Sequence, residues 1–354
     1  MQGVEIVATG RAVPKKAVTN DDLAKIIETN DEWIVTRTGI KQRYYCNADA
    51  LIDYYSGKVG VERRDFWEGT ENNLTLGIEA ATKAVLQAEQ KIEGFDRNEI
   101  GVVIATATSA YQSFPAMACM IQTALSLPKS TMAFDMNSAC SGFVLGMDIA
   151  RGLLEGGKKK YALLVGTEQL SRITDFKDRS TCILFGDGAG AALLKLTGHD
   201  ASDPDHIYAH RAWSDGQEEV LHAQGVGCDI DSMLMYMDGQ PVFKFAVGAM
   251  SQGIKSVLKD ATELTGKDFT MDDVQHVVPH QANARIIQNT MKRFGENGDK
   301  FYMNIGEFGN TSTASIPIAL DELNEKGMLK SGDKVVIVGF GGGLTWASAL
   351  FTIG

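Results

Sequence analysis

Phe134–Ala150 reads FDMNSACSGFVLGMDIA, and three local patterns meet within it. Ala133–Met136 has the character of the end of a buried strand, and Asn137–Ala139 that of a tight turn. From Cys140 onward Phe143, Val144, Met147, Ile149, Leu153 and Leu154 recur at roughly helical spacing until Gly156–Gly157 stops them. A strand that turns directly into an amphipathic helix calls for an α/β architecture, and Cys140 sits at the turn. The first turn of a helix offers unpaired N–H groups and a partial positive charge. The expectation is therefore a thiol drawn down from its free value of about 8.5 toward the thiolate. The alternative at this point is one more buried cysteine, since free cysteine is among the most buried residue types.

The same alternation runs outward from this stretch. Val4–Thr9 reads as a first strand, Leu74–Gln90 as a helix, Ile100–Thr108 as a strand, Ala116–Leu127 as a helix and Tyr161–Gly166 as a strand. Ser180–Leu196 reads as strand, glycine turn and strand. The second half echoes the first. EIGVVIATATSA has a counterpart in VQHVVPHQAN, KKKYALLVGTEQ in GDKVVIVGFGGG, and GDGAGAALLKL in GFGGGLTWASALF. Three paired features in the same order point to a duplicated α/β unit with mostly parallel, doubly covered sheets. The junction is expected in the polar loop Thr197–His206, which divides the chain into halves 1–198 and 199–354.

A chain of 354 residues with 44% hydrophobic and 22% charged residues has the makings of a sizeable core. Its net charge of −11 argues against general nucleic-acid binding and against a basic membrane patch. No apolar run is long enough to span a bilayer, and the N-terminus lacks a signal-peptide layout. Five cysteines (Cys46, Cys119, Cys140, Cys182 and Cys228) form neither close pairs nor a CxxC, which fits reduced thiols in a cytoplasm.

Other residues carry possible chemistry. Trp33 and Arg37 in NDEWIVTRTGI are four apart and would share a helical face. Together they could sandwich a flat ring, or they could be a core tryptophan and a surface charge. His280 in HVVPHQANARIIQ lies just past an apolar strand, where a histidine can serve chemistry or structure. Asn310 in FGNTSTASIPIAL sits at a Gly-Asn turn, where turn chemistry alone would explain it. Gly339–Ala347, GFGGGLTWA, lets backbone N–H groups approach a ligand but does not meet the dinucleotide GxGxxG spacing. Cys46–Thr70 has weak periodicity, four aromatics (Tyr54, Tyr55, Phe66, Trp67) and mixed charge, as a surface excursion or a lid would.

SACSGF, PHQANARII, GNTSTASIPIAL and FGGGLTW, in that order, resemble the motifs of the β-ketoacyl-acyl-carrier-protein synthase III family. NDEWIVTRTGI and FGDGAGAALL look like the same family's, and the likeness runs nearly end to end. The resemblance implies the thiolase fold, two duplicated halves in αβαβα layers, usually as a homodimer. It implies that Cys140 takes an acyl group from acyl-CoA, and that His280 and Asn310 hold the thioester carbonyl of malonyl-acyl-carrier protein as carbon dioxide leaves. The backbone N–H groups of Cys140 and Gly342 would form the oxyanion hole, and Phe340 would line the substrate site. Trp33 and Arg179 match the pair that sandwiches the CoA adenine, with Arg37 near the CoA phosphates. Phe114 matches the residue that closes the partner's acyl pocket, though one extra residue separates it from Cys140. Lys244 and Arg285 match the basic surface that attracts the carrier protein. No metal or cofactor is implied, acyl-CoA being a substrate.

Three features depart from the family pattern. The segment 46–70 has no counterpart there. It could cover the CoA entrance, alter the dimer surface or be a plain structural insertion. Asp238 stands where a small apolar residue is usual and could affect the tunnel wall, and Leu344 replaces a bulkier aromatic, which could loosen local packing. A condensing relative in secondary metabolism shares all these motifs. Cys–His–Asn is also a hydrolase constellation, and a non-catalytic scaffold would be the reading if the site were degenerate. The glycine-rich C-terminal segment lacks the second catalytic cysteine of degradative thiolases.

Overall fold

The computed structural model describes residues 1–157, 159–225 and 233–354, so Lys158 and Cys228 lie outside the described residues. Two sheets form its centre. The first has five strands in the order Gln2–Ala12, Gly188–Asp200, Tyr161–Glu168, Ile100–Thr106, Met132–Met136. Ile100–Thr106 is parallel to both of its neighbours, and Gly188–Asp200 is antiparallel to both of its own. The second has four strands in the order His276–Pro279, Lys334–Gly341, Thr345–Thr352, Tyr208–Ser214, the first pair parallel and the others antiparallel. Only Gly342–Leu344 separate Lys334–Gly341 from Thr345–Thr352, and so short a connection permits antiparallel pairing alone. Placed side by side, Ile100–Thr106, Tyr161–Glu168 and Gly188–Asp200 occupy the positions of His276–Pro279, Lys334–Gly341 and Thr345–Thr352. These are the strands whose sequences echo one another.

Side chains alternate between layers with period two. Val102, Ile104, Leu164 and Leu194 face a central core with Val335, Ile337 and Phe351 of the second sheet, and the helices Gly142–Gly156 and Ser315–Glu325 lie between. Val103, Leu163 and Leu193 point the other way, onto the helices Asn73–Lys91 and Met117–Ala124. Val336, Val338 and Leu350 point onto Gly239–Thr265 and Ala284–Met291. The result is five layers, helix–sheet–helix–sheet–helix. Both sheets are covered on both faces, which is why Tyr161–Glu168 is buried throughout.

Two local expectations change. Ile183–Phe185 is not a strand. Asp178 caps a single helical turn, Arg179–Cys182, by accepting the Ser180 N–H at 2.8 Å. Phe185 then makes only an isolated bridge to Asn310. Cys46–Thr70 is not an unstructured excursion. It folds into two short helices, Ala48–Tyr55 and Arg63–Trp67, with Leu51 and Phe66 fully buried. No helix among the described residues is long and apolar enough to cross a membrane.

Candidate active site

Each candidate catalytic side chain is delivered by an element end. The strand Met132–Met136 stops, Ala139 takes a left-handed φ of 43°, and Cys140 lies in the 3-10 turn Ala139–Ser141, just ahead of the helix Gly142–Gly156. His280 follows the strand His276–Pro279, its N–H held by the Val338 carbonyl at 2.8 Å. Asn310 is clamped by its backbone, donating to Leu184 O at 2.8 Å and accepting from Gly186 N at 2.9 Å. All three line one cavity of about 740 Å³, with a mainly apolar wall that includes Leu170, Ile173, Ile183, Leu184 and Phe243.

The glycine run abuts the cysteine. A Cβ on Gly341 would stand 2.9 Å from Cys140 Cβ and 3.0 Å from its Sγ, so only glycine fits there. Gly342, one residue on, also lines the cavity but meets nothing closer than 3.6 Å. Gly339 approaches the same turn as closely, a Cβ there standing 2.8 Å from Cys140 O and 2.9 Å from Ser141 Cα, so Gly339 and Gly341 together carry the close approach within the run.

Burial sets the charge state of the site. It pushes the Cys140 thiol up to about 12, against a lowering hydrogen bond to Ser312 Oγ at 3.3 Å and with a further rise from the Glu168 carboxylate. Burial thus opposes the expected drawing-down of the thiol, at a cysteine that keeps intermediate exposure. Loss of hydration disfavours the thiolate more than the turn's N–H groups and Ser312 favour it. Burial alone pushes His280, 1% exposed, down to about 3. Near neutral pH the site holds a neutral thiol beside a neutral imidazole.

Two serines that the sequence motifs do not single out orient these groups. Asn310 Oδ1 accepts the Ser312 N–H at 2.9 Å, which leaves the amide NH2 for the cavity. Ser315 Oγ accepts the Gln281 N–H at 3.3 Å and lies 2.7 Å from His280 Nδ1. Among the described residues the Ser315 hydroxyl has no other acceptor, so it donates to Nδ1, and the imidazole proton resides on Nε2. Phe340 packs edge-on to the same ring, centroids 5.2 Å apart. The signal for both serines was present in TSTAS after the Gly-Asn turn, but a turn rich in hydroxyls does not say which one meets the histidine.

At the cavity mouth Trp33 and Arg37 share one face of Asp31–Thr38, with the Arg37 guanidinium 4.3 Å from the indole centroid. Arg179 lies over the same ring at 4.6 Å but is not a lining residue. Lys244 and Arg285 are exposed on Gly239–Thr265 and Ala284–Met291, next to the lining residues Phe243 and Ile286. Phe114 is not brought to this chain's own cavity; it is 84% exposed on the loop before Met117–Ala124. Asp238 is exposed and caps the helix Gly239–Thr265 through the Gln240 N–H, so it is Met237 and Gly239 that form the wall there. Leu344 is 4% exposed and lines the cavity, its N–H and C=O both paired with Asp215, so packing at this point is not loosened. Away from the cavity His199, Asp203 and His206 gather within reach of one another. The two imidazoles stack at 3.8 Å with planes 6° apart, so their lone pairs lie in two separate parallel planes and an ion between them would sit out of both.

Residues 134–215 match the family described as 3-oxoacyl-[acyl-carrier-protein] synthase III, and residues 264–353 match its C-terminal model. A β-ketoacyl-[acyl-carrier-protein] synthase III of Clostridium acetobutylicum is 40% identical over 357 residues, covering 98% of each chain. The crystal structure of 3-oxoacyl-[acyl-carrier-protein] synthase III from Aquifex aeolicus is 36% identical, with a TM-score of 0.83 over 99% of this chain and 100% of that one. The priming β-ketosynthase of a polyketide pathway is 28% identical, with a TM-score of 0.81 over 99% of this chain and 96% of that one. The five-layered architecture is thus the thiolase fold, and the chain belongs to the 3-oxoacyl-[acyl-carrier-protein] synthase III family.

Proposed function

We propose that Cys140 carries the acyl group, and His280 and Asn310 hold the developing enolate, in the reaction of this family. That reaction is the decarboxylative condensation of an acyl-CoA with malonyl-acyl-carrier protein, an acyl transfer that initiates fatty acid synthesis. The observation that carries the assignment is the convergence of these three side chains, from three element ends, on one largely apolar cavity.

The steps balance with the chain's own groups. The Cys140 sulfur attacks the acyl-CoA carbonyl, its proton passes to the departing CoA thiol, and an acyl-Cys140 thioester remains. The mainly apolar wall disfavours water beside the thioester, so the ester persists until the second substrate arrives. Malonyl-acyl-carrier protein then places its thioester oxygen against His280 Nε2–H and the Asn310 NH2. Carbon dioxide leaves, the carbanion attacks the acyl carbon, and the Cys140 thiolate departs and takes up a proton. Neutral donors suit a charge that exists only as the C–C bond to carbon dioxide breaks. The Cys140 and Gly342 N–H groups serve the oxyanion of acyl transfer.

Trp33, Arg37 and Arg179 receive the CoA nucleotide at the mouth, where a flat ring and two guanidinium groups already stack. Lys244 and Arg285 attract the acidic carrier protein. An aromatic as exposed as Phe114 suits burial against a second copy in a homodimer. The matching strand order of the two sheets supports reading the chain as two halves, with the junction moved from residue 198 to after Asp200, where the strand Gly188–Asp200 ends. Four cysteines without disulfides (Cys46, Cys119, Cys140 and Cys182) fit a cytoplasmic enzyme.

The test is intact-protein mass after incubation with a panel of acyl-CoAs and no malonyl donor. A stable gain of one acyl group on Cys140 is expected. If no acyl-CoA leaves an adduct on protein whose thiol is reduced, the acyl-Cys140 route is wrong. Ser315→Ala should lower malonyl decarboxylation about tenfold by freeing the imidazole tautomer, while acyl loading stays within about twofold. Equal losses in both half-reactions would mean that Ser315 only supports the fold.

A further inference from the structure

The segment 46–70 stands behind the cavity wall. Its own aromatic residues line no part of the cavity, yet they belong to the same packed cluster as the wall residues Trp33, Leu170, Ile173, Ile183, Leu184 and Phe185. A run of rings leads from the segment to Phe176, in the same packed cluster as the wall. Phe66 contacts Tyr55 at 6.0 Å, Tyr55 contacts Phe176 at 4.8 Å, and Phe176 contacts Tyr45 at 5.5 Å. Phe176 is 1% exposed and follows the wall residues Leu170 and Ile173 in sequence.

The root of the segment is tied to both sides of that wall. Tyr45 Oη donates to the Cys182 carbonyl at 3.2 Å, next to the lining run Ile183–Phe185. The Cys46 N–H donates to the buried carboxylate of Asp187 at 2.8 Å, and the same carboxylate accepts from Ser171 N at 2.9 Å and Ser171 Oγ at 2.6 Å, beside Leu170. At the far end Arg172 lies over the Trp67 ring at 5.6 Å. A wall of apolar side chains yields to a bulky ligand only if the layer behind it can move, and close-packed rings move little.

We propose that the 46–70 segment, acting through Phe176, is a rigid backing that sets how bulky an acyl primer the cavity accepts, with Tyr55 and Phe66 as its positioning residues. The inference rests on the acyl-CoA reading of the cavity. It also accounts for a segment that the family's short pattern lacks and that touches no substrate itself.

The experiment measures acyl loading on the intact protein from acetyl-CoA and from longer and branched acyl-CoAs, for wild type, Tyr55→Ala, Phe66→Leu and Tyr55→Phe. Pocket discrimination against one extra methylene spans about 10-fold to 200-fold. Tyr55→Ala should therefore move the ratio of longer or branched to acetyl loading upward by about fivefold to tenfold. Phe66→Leu should move it in the same direction by less. Tyr55→Phe keeps the ring and should keep the wild-type ratio. Loss of stability alone would lower all loading rates together and leave the ratio alone. Ratios within about twofold of wild type in both Tyr55→Ala and Phe66→Leu would overturn the proposal, and Phe66→Leu decides it alone if Tyr55→Ala does not fold. A wild-type protein that loads from no acyl-CoA would instead remove the functional reading beneath it.

Discussion

Replacing Cys140 with alanine is expected to abolish the acyl adduct and to lower condensation about ten-thousandfold or more, measured as β-ketoacyl product from acyl-CoA and malonyl-acyl-carrier protein. Malonyl decarboxylation should survive, because its donors on His280 and Asn310 do not pass through the sulfur. The wild-type thiol has a pH signature of its own. Burial holds it near 12, so in the free enzyme the thiolate is about one part in 100,000 at pH 7 and grows tenfold per pH unit while pH stays below that value. Iodoacetamide labelling of Cys140, taken as the difference from Cys140→Ala, should climb about tenfold per unit from pH 6 to 9 without levelling. A plateau beginning near pH 8 would mean that the turn's N–H groups outweigh burial after all. A thiol kept neutral in this way is poorly reactive toward casual electrophiles. It becomes a nucleophile where a bound thioester offers both a carbonyl and a leaving thiolate to take the proton.

The parts of this molecule that were legible in sequence are those set by periodicity and by short contiguous motifs. The strand–turn–helix around Cys140, the echo between Tyr161–Glu168 and Lys334–Gly341, and the placement of His280 and Asn310 just outside element ends all follow from local pattern. What local pattern does not carry is the balance of opposing effects at one atom. The sequence around Cys140 announces a helix start, which lowers a thiol's pKa, but the walls that dehydrate it come from residues as distant as Phe340 and Ile183. Ser315 likewise reaches His280 across 35 positions, so nothing near PHQANARII signals what fixes the tautomer. Segment 46–70 misled in a different way. Its two helices are too short to show a period, and Phe66 and Leu51 are buried against the wall cluster rather than within a helical pair of their own. Asp238 looked like a charge in a tunnel wall because side-chain direction is invisible in sequence, and the cap geometry turns it outward.

His280→Ala and Asn310→Ala should each lower malonyl decarboxylation by about a hundredfold to a thousandfold, the scale of losing one preorganised donor to an oxyanion. Acyl loading of Cys140 should change only a few-fold. The double variant should be far less impaired than the product of the singles, since two donors on one oxygen act as a unit. Additive losses would place the two residues on different atoms of the reaction. The histidine's charge state gives a second readout. Its pKa sits near 3 rather than 6.5 because burial excludes the imidazolium, so a pH profile of decarboxylation from 8 to 5 should show no inflection from this group. A step near 6.5 that vanishes in His280→Gln would contradict a buried neutral ring. Stability carries the same signature with a definite sign. The unfolded chain protonates His280 near 6.5 and the folded chain only near 3, so the unfolded state binds the extra proton between those values. The stability owed to the neutral ring is therefore complete above about pH 6.5 and is lost as the pH falls toward 3, by at most about 5 kcal/mol. Denaturant midpoints of wild type should fall more steeply than those of His280→Gln across that window. Parallel curves would mean that the imidazole already reaches water in the folded enzyme, and that burial does not hold it in the neutral form on which the decarboxylation geometry depends.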